Sequence, residues 1–302
     1  MIALKIIGVI IGLALLWLLS FFLYCRQQNK KKRVMEHLNL TLPKSWKDLN
    51  EKQTLYVCNL MLWENTPTEI HTKCFLFFTG ITVQEHLESG IWICMHNKKR
   101  FTISDYEVQY FAKKLSFLTD TITEVNPLAE IAGFKHIHPR FEGCSFKQWM
   151  AAENYYQAFI YTKQNIFLDK LCAVIYSIDK YHPSDKEFDD KYTPQRSKYF
   201  AKIPMAQKLT VFVMYAGLKD RLSKEFSYFF QKVAVKPDQE TDRKPPKMRE
   251  HFSNMIYVLN GGNVGESEKV LNSECWRAFD TLNRKARENQ EMEQRLKKMK
   301  KK

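Results

Sequence analysis

Three places in this chain carry side chains of the kinds that hold metals, phosphates or protons. The first is His136 and His138, with Arg140 and Cys144 close behind. An H-x-H pair puts both imidazoles on one face of a strand, which suits a metal ion. A zinc site also needs a third and fourth ligand at regular spacing, and none follows. Packing within a loop is the better reading, and His136, His138 and Arg140 are kept as candidate partner-binding residues. The second place is GGNVGESEK, where Gly261, Gly262 and Gly265 precede Glu266 and Lys269. A phosphate loop needs GxxxxGKS or GxxxxGKT after a buried strand, so that backbone N–H groups surround the phosphate and the lysine reaches it. The spacing here differs and Met255–Leu259 reads as helix, so the glycines read as a helix stop and a turn. The third is the acidic run Asp185, Glu187, Asp189 and Asp190. It lacks the glycine and the final glutamate of a calcium loop and reads as a solvated turn. No Ser/His/Asp or Cys/His set stands at a recognisable spacing. Nothing in these residues argues for enzyme chemistry, and no cofactor or metal is expected.

The elements that position these residues are mainly helical. Asn50 stands as an N-cap before Glu51–Glu64, whose Leu55, Cys58, Met61 and Leu62 recur at helical intervals. Thr66-Pro67 is a cap followed by proline in the first turn, and Gly80 is the stop for a stripe of Ile70, Cys74, Phe77 and Phe78. In 90–103 the period changes to two. Ile91, Ile93 and Met95 alternate with Trp92, Cys94 and His96, and a polar turn from Asn97 to Arg100 completes a β-hairpin. Ser104 with Glu107 and Ser145 with Gln148 are capping boxes, and Asn165 caps a further helix. Between Ile122 and Phe146 no period holds, a length at which loops are usually functional or partly disordered. A helix from Pro204 to about Phe230 has Gly217 as a candidate bend. Met248–Leu259, Glu266–Leu271 and Glu274 to about Lys300 are the last helices. The distal half of the final one has almost no apolar residues, so it is frayed or partner-bound, and Lys297 and Lys298 are candidate contacts.

Ahead of these elements lies Ile6–Tyr24, nineteen residues without charge or proline. As a helix it spans about 28 Å, close to the hydrocarbon thickness of a bilayer. Ile6, Gly8, Gly12, Trp17, Phe22 and Tyr24 belong to this predicted anchor, and Gly8 with Gly12 forms a GxxxG through which two copies could pair. Arg26, Lys30, Lys31, Lys32 and Arg33 follow it, which places the short N-terminus outside and 26–302 in the cytoplasm. The net charge of +14 sits mostly at the ends, with +6 in 1–33 and +6 in 284–302. Basic ends beside a nearly neutral body suit anionic headgroups. The basic tail does not suit nucleic acid as a partner, because no aromatic residues interleave it for base stacking. The seven cysteines form no CxxC pair and read as reduced thiols. The expected fold is mainly α, a helical domain with one small β-hairpin preceded by a single transmembrane helix. Its parts are an anchor (1–25), a basic linker (26–41), a helical core (42–232), a linker (233–246) and a C-terminal helical segment (247–302).

Several segments together resemble an uncharacterised family encoded in phages and prophages of gut bacteria, often near tail genes. They are LPKSWKDLNEKQTLYV (42–57), TKCFLFFTGI (72–81), AENYYQAFIYTKQNIFLDKLCAVIY (152–176), RSKYFAKIP (196–204), MREHFSNMIYVLNGGNV (248–264) and WRAFDTLNRKARE (276–288). The resemblance covers about 42–288 and carries over no active-site residues. It implies a helical, non-enzymatic structural or assembly protein of tail morphogenesis that acts by protein–protein binding, with phage structural or membrane proteins as partners. The alternative is a single-pass cytoplasmic adaptor held on anionic lipid by its basic ends. The family's members are expected to begin near the LPxSW segment without a membrane helix, so Met35 is a second candidate start, from which the product is soluble.

Overall fold

The computed structural model describes residues 20, 41–120, 122–177, 188–230 and 247–300. Apart from Ser20, the predicted anchor with Gly8 and Gly12, its basic flank, Met35, the acidic residues Asp185 and Glu187, and the linker 233–246 lie outside these residues. Among the described residues, no helix is long and apolar enough to cross a membrane.

The fold is mainly helical with small antiparallel sheets. Asn50 caps α1 (Glu51–Met61). Its side chain accepts the Gln53 N–H at 3.0 Å and the Gln53 side chain accepts the Asn50 N–H at 3.0 Å, satisfying two orphan donors. Thr66 and Glu69 repeat the arrangement ahead of α2 (Pro67–Thr79), which Gly80 follows. The chain then forms a three-stranded sheet in the order β1 (Thr82–Leu87), β2 (Ile91–His96), β3 (Lys99–Ser104). The β2–β3 pair is the hairpin that the alternation predicts, closed by Asn97 and Lys98 at positive φ. No pattern in the sequence predicts β1. Its residues TVQEHL lie mostly exposed at the sheet edge, and a register shift between Val83 and Glu85 breaks any alternation. α3 (Asp105–Ala112) starts on the Ser104–Glu107 capping box.

Two compact units divide the described chain, with the cut falling inside α2. The first contains His71–Ser116. Cys74, Phe75, Cys94, Ile103 and Phe111 are buried there, and the Phe75 and Phe111 rings stack at 5.6 Å.

The second contains Lys44–Ile70 and Phe117–Lys302. After α1 it carries α4 (Phe117–Asp120), β4 (Glu130–Ile131), β5 (Phe134–His136), α5 (Phe146–Thr162), α6 (Asn165–Ile175) and β6 (Tyr176–Ser177). α7 (Thr193–Phe200), α8 (Met205–Glu225), α9 (Met248–Leu259), α10 (Ser267–Leu271) and α11 (Cys275–Met299) complete it. α6 is its central helix. Leu168, Leu171, Cys172, Ala173, Val174 and Ile175 are all buried, so it is apolar almost all round and packs against α5, α7 and α8. Two buried charges bind these helices to α8. Asp169 approaches Lys208 at 2.6 Å, and Glu153 takes Lys219 at 2.5 Å and the Tyr215 hydroxyl at 3.1 Å. A second core is aromatic. Phe279 of α11 lies 4.8 Å from Trp149, 6.0 Å from Phe146 and 5.4 Å from Phe226 between ring centroids.

Residues 122–146 contain structure that the sequence does not reveal. β4 and β5 form a hairpin whose two-residue turn, Ala132-Gly133, sits at positive φ, and β5 pairs onward with β6. Two further expectations change in detail. Ser145 accepts the Gln148 N–H, but the Gln148 side chain donates to the Val174 carbonyl at 3.0 Å, so half the capping box is spent on tying α5 to α6. Asn165 is the first residue of α6, and the capping position belongs to Gln164, whose side chain makes no cap.

Candidate functional site

Gly217 on α8 decides where the site forms. A Cβ there would stand 2.0 Å from the Thr123 carbonyl oxygen, so only glycine lets this chain segment lie directly on the helix. The close approach brings Glu124, Val125, Asn126 and Pro127 beside Met214, Leu218 and Arg221 of α8. Lys47 arrives from the turn before α1, held because the Asn126 amide donates to the Lys47 carbonyl at 2.7 Å. His138, Pro139, Arg140 and Glu142 close the opposite side. Together these residues line a cleft of about 350 Å³.

Its chemistry is that of cations gathered round two carboxylates. The Arg221 guanidinium donates to Glu124 Oε1 at 3.0 Å, and Lys47 Nζ stands 3.4 Å from Glu124 Oε2. Arg140 sits 3.8 Å from Glu124 and 3.8 Å from Glu142, and His138 Nε2 is 3.6 Å from Glu142. Those last distances exceed a hydrogen bond. Arg140 is therefore attracted to both carboxylates and bonded to neither, with 42% of its side chain exposed. Its rigid fork of N–H donors matches a planar carboxylate better than a lysine would. The backbone below it is fixed: Trp276 Nε1 donates to the Arg140 carbonyl at 2.6 Å.

Of the residues singled out in sequence, the cleft unites His138 and Arg140. It does not include His136, whose Nδ1 donates to the neighbouring Ile137 carbonyl and whose ring meets Tyr176 edge-on at 6.2 Å. Lys297 and Lys298 stand apart, on the exposed end of α11. Lys47, Glu124, Glu142 and Arg221 had no sequence signal. Lys47 and Glu124 are 77 positions apart and Arg221 and Glu124 are 97 apart, so no local spacing could join them.

The remaining motifs take structural places. Gly261 and Gly262 follow α9 at φ +63° and +84°, the geometry of a helix stop. Among the described residues no group of three or more His, Cys, Asp or Glu could hold a metal ion. The six described cysteines are free and buried. Burial pushes the thiols of Cys58, Cys74 and Cys144 up to about 12, the reverse of an activated nucleophile. No family model, no curated protein and no solved structure matches this chain.

Proposed function

We propose that this chain is a non-enzymatic assembly protein, of the phage-tail kind its segments resemble, and that it binds a partner protein through the Arg140 cleft. The observation that carries the reading is the arrangement of Lys47, Arg140, Arg221 and His138 round Glu124 and Glu142, with Arg140 unbonded and open to water. Such a surface recognises an acidic side chain on a partner by charge and by the planar fit of guanidinium to carboxylate. Glu124 and Glu142 hold the cations in place before binding, which lowers the ordering cost. The inert thiols support the same reading, because they leave the cysteines a packing role.

Co-expression with the genes that flank its own, followed by purification of this chain, tests it. The wild type is expected to retain a tail component, and R140E to lose it while keeping the native circular dichroism spectrum. R140A weakens the isolated complex by about 2 kcal/mol, roughly thirtyfold in Kd. Elution of the wild type alone, or equal retention by R140E, overturns the assignment.

A further inference from the structure

The C-terminal end of α11 takes no part in the cleft. Glu291–Lys300 are all exposed, a rod of about 15 Å that the second unit does not cover. Along this rod Met292, Leu296 and Met299 are exposed by 61%, 49% and 64%. They stand at i, i+4 and i+7, so they form one apolar line. That line continues the one made by Cys275, Ala278 and Leu282, which is buried against the rest of the unit.

Lysines and an arginine flank the line. By helical rotation Arg295 falls on one side and Lys300 on the other, with Lys297 and Lys298 farther round and Lys301 and Lys302 next in the sequence. The net charge of 284–302 is +6. We propose that this end of α11 lies on the surface of an anionic lipid bilayer, with Met292, Leu296 and Met299 entering the headgroup boundary and the basic side chains reaching the phosphates. Amphipathic helices bind in this way when a narrow apolar face is supported by charge attraction, and long basic side chains can lay their stems along the apolar face while their heads stay at the phosphate level.

A second copy of the chain fits the line less well. In a parallel two-stranded coil with Asn289 and Leu296 at the a positions, Glu288 faces Glu293 of the other copy and Arg295 faces Lys300, both like-charged. Antiparallel pairing sets Asn289 against a methionine. A lipid surface presents no such mismatch.

Hydrogen exchange of the full chain, measured with vesicles of phosphatidylcholine alone and with about 30% phosphatidylserine added, tests the proposal. The predicted anchor is present in both cases, so the difference reports the tail. Amides in 288–300 are expected to exchange about tenfold more slowly with the anionic vesicles, and the effect to vanish near 0.5 M salt. L296D and the pair K297E and K298E, all at exposed positions, should each remove the protection without changing exchange in α5 or α6. Equal exchange with both vesicles overturns the proposal. So does protection that appears without lipid and grows with protein concentration, which would mean pairing between copies.

Discussion

Gly217 cannot carry even a methyl group without moving the chain that lies on it. Its sequence position suggested a bend in α8, whereas the structure gives it a packing role, with the Thr123 carbonyl 2.0 Å from where a Cβ would be. A sequence marks a glycine but not the backbone that crosses it 94 positions away. G217A is expected to cost about 2–3 kcal/mol, read as a lower urea midpoint, and to displace Glu124 from Arg221. The Asp169–Lys208 pair offers a second test at this scale. Both side chains are nearly fully buried, and the ammonium also donates to the Ala201 carbonyl at 3.2 Å. K208M strands a buried carboxylate and should destabilise by about 3–5 kcal/mol. The double variant with D169L should recover most of that loss, because an apolar pair of similar volume replaces the charges. If the double variant is no better than K208M alone, the cost lies in the lysine's packing and in its bond to Ala201.

At the scale of elements, the final helix joins the aromatic core to the cleft. Phe279 is fully buried among Phe146, Trp149 and Phe226, and three residues earlier Trp276 holds the Arg140 carbonyl. F279A should cost about 3–5 kcal/mol in chemical denaturation and should weaken partner binding along with it. Helices with strong local signals were legible from sequence, as the Asn50 cap and the Ser104–Glu107 box show. β1 was not, because an exposed edge strand has no buried face to impose alternation. The 130–136 hairpin was hidden for another reason. Ala132-Gly133 takes the positive φ values that the usual Asn-Gly signal advertises, without that signal's first residue. Of the candidate site, His138 and Arg140 could be named in advance. Glu142 is a near neighbour of both in the chain, whereas Glu124, Lys47 and Arg221 come from distant segments that only tertiary packing assembles.

For the molecule as a whole, the buried thiols set a limit at alkaline pH. An ordinary thiol titrates at 9.0, whereas Cys58, Cys74 and Cys144 hold their protons to about 12 in the folded protein. The unfolded chain therefore releases protons first, and the stabilisation is full below pH 9 and is lost as pH rises towards 12. Denaturant midpoints should fall across that window, and C144A should fall less steeply. The same thiols should resist a thiol reagent until the protein unfolds. The Cys144 carbonyl accepts the Cys275 N–H at 2.9 Å, Ser273 accepts the Phe146 N–H at 2.8 Å, and the Cys275 thiol reaches the Phe141 carbonyl at 3.1 Å. A nascent chain that has emerged only as far as α10 has Arg140 but lacks Trp276, which holds its carbonyl. The support beneath Arg140 is thus complete only once α11 has been made and has folded against this segment.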